Sequence, residues 1–265
     1  MDIIKFYKSQ TRSPLKNTIF LDLSQVEIVH PEAIMYTIAL SNSLKTSILR
    51  KVNIKGNFPL NEIARKDIMK SGFLNYVNTN VTKISPNNST IQIISGTNVD
   101  ATVVARVIDF IKSNSSIDNN TLRNLYTMLI EIMTNTIQHA YNNKQVFKSN
   151  WYMYIDVGNG NVNITILDTG DGIPTTVTCK LKDLFYKKDS SKIMSTLNGD
   201  FRTETKKDYR GKGLPNILKC YKDTHIKELC IISGKGSVLL CKKTNTKECY
   251  DSNEDFYGTV FYISV

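Results

Sequence analysis

From Thr121 to about Tyr141 the chain carries a long run of apolar residues at helical spacing, and no other segment constrains its folding as much. At about 100° per residue, Leu122, Leu125, Tyr126, Leu129, Ile132, Met133, Thr136 and Ala140 gather on one broad face. Thr121 is the residue type that caps such a helix. Along the edge of that face Glu131, Asn135 and His139 fall at i, i+4 and i+8, forming a polar stripe. Two strand-like runs follow, Trp151 to Val157 and Val162 to Leu167. Gly158-Asn159-Gly160-Asn161 between them is a hairpin signal.

The pattern changes near residues 95–100. Before that point, short strand-like runs (Ile19 to Leu23, Val52 to Ile54, Thr90 to Ile94) alternate with helical stretches from Pro31 to about Leu49 and from Leu60 to Lys70. Such alternation predicts a small α/β unit with parallel pairing. After it, Val99 to Ile111 is apolar at helical spacing. Thr175 to Tyr209 is polar, Lys-rich and poorly periodic, and is expected to be a long lid-like loop with some local helix. A short helix is expected over Leu214 to Tyr221. A second hairpin is expected across Gly234-Lys235-Gly236, and a last strand from Thr259 to Val265.

Composition excludes some classes. No apolar run approaches the roughly 20 residues of a membrane span, and MDIIKFYKSQ lacks a secretory h-region. The five cysteines form no CxxC pair, which argues for reduced thiols rather than a metal centre or a disulfide framework. A cytoplasmic protein that does not engage a membrane is expected. The net charge is +10, from 34 Lys and Arg against 24 Asp and Glu. No RNA-binding signature or zinc-finger spacing accompanies it. Attraction for phosphate anions is therefore the safer inference, with nucleic acid disfavoured but open.

Three further motifs carry chemistry. Leu167-Asp168-Thr169-Gly170-Asp171-Gly172 follows a strand directly. A carboxylate at a strand end can accept a hydrogen bond from an exocyclic amine, which separates adenine from guanine, and glycines permit close approach. Arg210-Gly211-Lys212-Gly213-Leu214 enters a helix, where exposed backbone N–H groups suit phosphate oxygens. Gly258-Thr259 opens the final strand, from which Thr259 could reach Asp168 if the strands are neighbours. Each motif alone is also an ordinary helix edge, turn or loop.

Together the motifs resemble the histidine-kinase-like (GHKL) ATPases. Glu131-Ile-Met-Thr-Asn135-Thr-Ile-Gln-His139-Ala140 looks like their N-box and Asp168-x-Gly170-x-Gly172 like their G1 box. Gly211-x-Gly213-Leu214 resembles a short G2 box, followed by the terminal Gly258-Thr259. The resemblance covers residues 98–265 and implies a two-layer α/β sandwich of the Bergerat type binding ATP and Mg²⁺. It implies that Asn135 coordinates Mg²⁺, Asp168 binds the adenine amine and Glu131 is the general base. Gly170, Gly172, Gly211, Gly213 and Leu214 would shape the pocket and lid, Thr259 would support Asp168, and Arg210 and Lys212 would contact phosphate.

Residues 1–97 resemble STAS domains through Phe20-Leu-Asp-Leu-Ser24-x-Val26-x-Ile28 followed by a helix. At the stretch where those regulators carry a phosphoacceptor hydroxyl, this chain has His30-Pro31-Glu32-Ala33, which implies a docking rather than an acceptor role. The combined expectation is a regulatory protein whose ATP or ADP binding, or slow hydrolysis, controls docking of a protein partner or of a second copy as a homodimer. A kinase acting on Ser or His of a separate protein stays open, as does an ATP-switched nucleic-acid factor.

Overall fold

The computed structural model of the chain describes residues 18–46, 53–76, 89–139, 150–158, 160–177, 188–200 and 212–265. The fold is mixed α/β, built on a five-stranded antiparallel sheet and a small parallel one. The large sheet has the order β3-β4-β5-β7-β6, formed by Thr90–Gly96, Trp151–Gly158, Asn161–Asp168, Thr246–Ser264 and Glu228–Cys241 respectively. The small one pairs β1 (Thr18–Leu21) with β2 (Asn53–Gly56) in parallel, as strand–helix alternation before residue 95 predicts.

Strand β5 is the middle of the large sheet and is covered on both faces. On one face Ile164 and Ile166 join Trp151, Met153 and Ile155 of β4 in a core with four helices. These are α3 (Ala101–Asn114), α4 (Asn119–His139), α6 (Asp189–Leu197) and α7 (Gly213–Lys222), and a short α5 (Ile173–Thr176) follows β5. On the other face Tyr152, Tyr154, Leu167 and Val260 pack with α1 (Pro31–Thr46), α2 (Glu62–Lys70) and the turn at Phe73–Asn75. The first segment thus lies on the sheet's outer face. Tyr36 stacks on Phe256 with centroids 4.3 Å apart, and Glu32 accepts a hydrogen bond from Thr165. Double coverage explains why Trp-Tyr-Met-Tyr-Ile lacks an alternating polar residue.

Helix starts follow local capping chemistry. The Asp100 carboxylate accepts from the N–H groups of Thr102 (2.9 Å) and Val103 (3.1 Å), so α3 begins at Ala101. Asp118, not Thr121, caps α4. It accepts from the Thr121 hydroxyl at 2.6 Å and the Thr121 N–H at 2.9 Å, and the hydroxyl bond leads in holding its carboxyl below the ordinary range. Thr121 sits where the capped donor sits, three residues on.

Three expectations are corrected. Thr90–Gly96, read with the first segment, is instead hydrogen-bonded to β4 and forms the edge of the large sheet. Gly234-Lys235-Gly236 is no hairpin turn: β6 runs through it with register shifts and turns at Lys242–Asn245, where Asn245 takes a positive φ of 51°. The glycines are needed for another reason, since α6 packs on them and a Cβ on Gly236 would overlap the backbone of Asp189 and Ser190. The middle of the expected lid-like loop, where some local helix is expected, is this same helix, and it packs into the core. Asp251 of β7 accepts from the N–H groups of Asp189 (2.8 Å) and Ser190 (3.2 Å), while Ile193 and Leu197 are buried. The flanking stretches 178–187 and 201–211 lie outside the described residues.

Coverage of both sheet faces predicts equal sensitivity on both. Ile166→Ala (helix face) and Leu167→Ala (outer face) should each cost about 2–5 kcal/mol in urea unfolding of the full chain. A cost below about 1 kcal/mol for Leu167→Ala alone would mean that the outer face is not a core.

Candidate functional site

The end of β5 places Asp168 on the helix side of the sheet, directly opposite Thr259 in the β5–β7 register. Its carboxylate is buried and accepts hydrogen bonds from the Gly170 N–H at 2.8 Å and from both the N–H and the hydroxyl of Thr259. Burial pushes the Asp168 carboxyl up to about 6, against the pull of these three donors. An acceptor held dry in this way gains from one more donor.

The strands meet this closely because residue 258 is glycine. Gly258 has φ 94°, and a Cβ there would overlap the Asp168 carbonyl. Next to it Ser233, fully buried, bonds the Gly258 carbonyl at 2.9 Å, the Thr259 hydroxyl at 3.1 Å and the Ile173 N–H at 2.9 Å. That last contact ties the turn after Asp168 to β6, with Gly172 (φ 82°) closing it.

A second group forms where α4 meets the start of α7. Position Cβ of Gly213 would lie 3.0 Å from both Asn135 Oδ1 and Glu131 Oε2. Asn216, one turn into α7, donates from Nδ2 to Glu131 Oε1 at 3.0 Å. The N-box-like and G2-like motifs therefore share one contact.

 Counted along the chain, Gly213 follows Glu131 by 82 residues and Asn135 by 78, and these are the separations that folding closes. Helix α6 links this group to the first one. Its start packs on Gly234 and Gly236, and Gly199 beyond its end faces Pro215 of α7.

Of the expected site residues, Asp168, Gly170, Gly172 and Thr259 come together at the strand end, and Glu131, Asn135 and Gly213 come together at α7. Leu214 is half-buried against the helical core, and Lys212 is exposed at the α7 N-cap without a side-chain capping bond. Arg210 and Gly211 lie outside the described residues. Sequence reasoning missed Ser233 and Asn216. Asn216 carries no signal beyond its place in the motif's helix, while Ser233 beside Gly234 is a small polar residue that ends the apolar run Leu229 to Ile232. It also missed Asn150, whose backbone exchanges hydrogen bonds with Thr169 beside Asp168.

Two buried side-chain polar atoms among the described residues lack a hydrogen-bond partner, Asn135 Nδ2 and Asn150 Oδ1. One is at the α4–α7 contact and the other is next to the β5 end. No group of three or more His, Cys, Asp and Glu suited to a metal occurs among the described residues. No protein-family model and no curated protein matches the chain.

Because Asp168 titrates near 6 when folded, against an ordinary 3.8, the native state holds a proton between these values that the unfolded chain has lost. Stability contributed by this group should therefore fall as pH rises from about 4 to 6 and level off above. Thermal unfolding of wild type and Asp168→Asn across pH 4–7 checks this. The wild-type melting temperature should fall relative to the variant over that window, and parallel profiles would refute the buried carboxylate.

Proposed function

We propose that the chain is a regulatory ATP- and Mg²⁺-binding protein of the histidine-kinase-like ATPase type, with a STAS-like first segment as its docking module. The observation that carries this reading is the pair of unpartnered buried atoms, Asn135 Nδ2 and Asn150 Oδ1, beside the two residue groups that the motifs single out. Buried polar groups without partners are rare in folded proteins, and a bound ligand is one explanation for them.

In this reading Asp168 accepts from the exocyclic amine of adenine, which guanine replaces with an oxygen. Thr259 and the Gly170 N–H keep the carboxylate aimed. The Asn135 amide oxygen contributes one ligand to Mg²⁺, an ion that takes few protein oxygens and keeps several waters. When bound, the ion neutralises phosphate charge during phosphoryl transfer. Glu131 orients the acceptor hydroxyl or water, and the start of α7 at Gly213 offers backbone N–H groups to phosphate.

Regulation follows from the covered outer face. Leu167 and Val260, beside Asp168 and Thr259, pack against the first segment. A shift of these strands on nucleotide binding reaches α1 and α2 directly, and so reaches whatever docks there.

Isothermal titration of the full chain with ATP and ADP in Mg²⁺ should give saturable binding, with GTP at least tenfold weaker. Asp168→Asn presents a donor to a donor and should weaken ATP at least tenfold. Equal affinity for ATP and GTP, or an unchanged Asp168→Asn variant, would remove the adenine assignment.

A further inference from the structure

We propose that Asn216 is a positioning residue for Glu131, and that the α7 helix thereby sets the direction in which the Glu131 carboxylate acts. This inference rests on the reading above, in which Glu131 orients the group that receives the phosphoryl.

The geometry is specific. Glu131 stands on α4 and Asn216 on α7, two helices that pack together in the same core. The Asn216 amide donates to Oε1 at 3.0 Å, and the other oxygen, Oε2, lies next to Gly213. A glutamate has three side-chain torsions, the last of them soft. One hydrogen bond to Oε1 from a helix-borne amide removes that softness and leaves Oε2 as the oxygen free to accept. Asn216 is itself held, because its N–H closes the first turn of α7 on the Lys212 carbonyl at 2.9 Å. The orienting group and the phosphate-facing end of α7 are thus one rigid piece, one turn apart. Any movement that brings the Gly213 end towards a phosphate carries the amide that aims Glu131.

An amide suits this role better than the alternatives. A lysine would pair with the carboxylate and blunt its basicity, and a second carboxylate would compete with it for a proton. An amide donates without adding charge. Asn216 does not touch the reacting atoms; its effect passes through Glu131 alone. Loss of orientation rather than loss of binding is therefore the expected signature, and misalignment of a positioned group commonly costs ten- to a hundredfold in rate.

The test is steady-state ATP turnover by the full chain with Mg²⁺, read as kcat and KM across pH 5–9, for wild type, Glu131→Gln, Asn216→Ala, Asn216→Gln and Asn216→Asp. Asn216→Ala should lower kcat at least tenfold with KM within about threefold. Asn216→Gln keeps the amide and should recover part of the rate. Asn216→Asp sets two carboxylates side by side, so its acid limb should move to higher pH by about one unit or more, a shift that a purely packing role does not produce. Melting temperature and ADP affinity, measured alongside, report on folding. Turnover that needs Glu131 but is indifferent to all three Asn216 variants overturns this inference and leaves the functional reading intact. So does loss of kcat, ADP affinity and melting temperature together with no shift in the pH profile. Absence of turnover in wild type, or turnover that survives Glu131→Gln, overturns the catalytic role of Glu131 and this inference with it.

Discussion

The pairing of Asp168 with Thr259 is the contact on which the rest of the site depends. It puts a buried carboxylate at the end of the central strand and supplies two of its three donors from one residue of the neighbouring strand. That closeness is available only to a glycine at 258, and Ser233 on the next strand fastens the same point from the other side. Three strands and the turn into α5 thus converge on one carboxyl. The sheet's long-range register, rather than any local loop, sets where that carboxyl points.

The same strands also carry the link to the first segment. Side chains alternate along a strand, so the neighbours of Asp168 and Thr259 face the opposite side of the sheet. There Leu167 and Val260 meet the core that includes Ile34, Met35 and Ile38 of α1. A strand buried on both faces cannot shift on one without disturbing the packing of the other, because protein interiors have little free volume. The Lys70–Asp156 ion pair at 2.8 Å adds little to this, being about one-third exposed on each side. Apolar packing, not charge, joins the two parts.

Much of this was legible in the sequence because it is local. The α3 and α4 helices, the β4–β5 hairpin and the short α7 helix follow from periodicity and turn chemistry. Thr259 can reach Asp168 only if their strands are neighbours, and the register makes them so. Two of the errors have one physical source, which is that glycine and polar residues serve long-range contacts as readily as local turns. Gly234 and Gly236 look like a hairpin turn, yet they exist to admit α6, some 45 residues earlier in the chain, within a continuous strand. Ser190 and Asp189 look like loop residues, but Asp251 satisfies the start of their helix from a distant strand. The edge strand Thr90–Gly96 has no local feature that chooses between the two sheets. The missing alternation in Trp-Tyr-Met-Tyr-Ile was a usable signal that a second layer covers β4.

The site residues are costly to the fold, and that cost is itself informative. A buried carboxylate with its titration raised to about 6 opposes folding at neutral pH, since its charged form is the one that burial penalises. An unsatisfied buried amide atom costs about 1–3 kcal/mol. The chain carries the carboxylate at the end of β5 and the amide at the α4–α7 contact, whereas buried polar residues such as Ser71 and Thr224 have internal partners. A sequence selected for stability alone would place an apolar residue at 168 and satisfy or remove the amide at 135. Under the proposed function, the groups that stability would discard are the ones a nucleotide would satisfy: a buried acceptor at 168, and an asparagine beside a helix start with one polar atom unused. The asymmetry of hydrogen-bond energetics, in which an unmade bond costs more than a made one contributes, would give such a ligand leverage over the strands and helices that carry these groups.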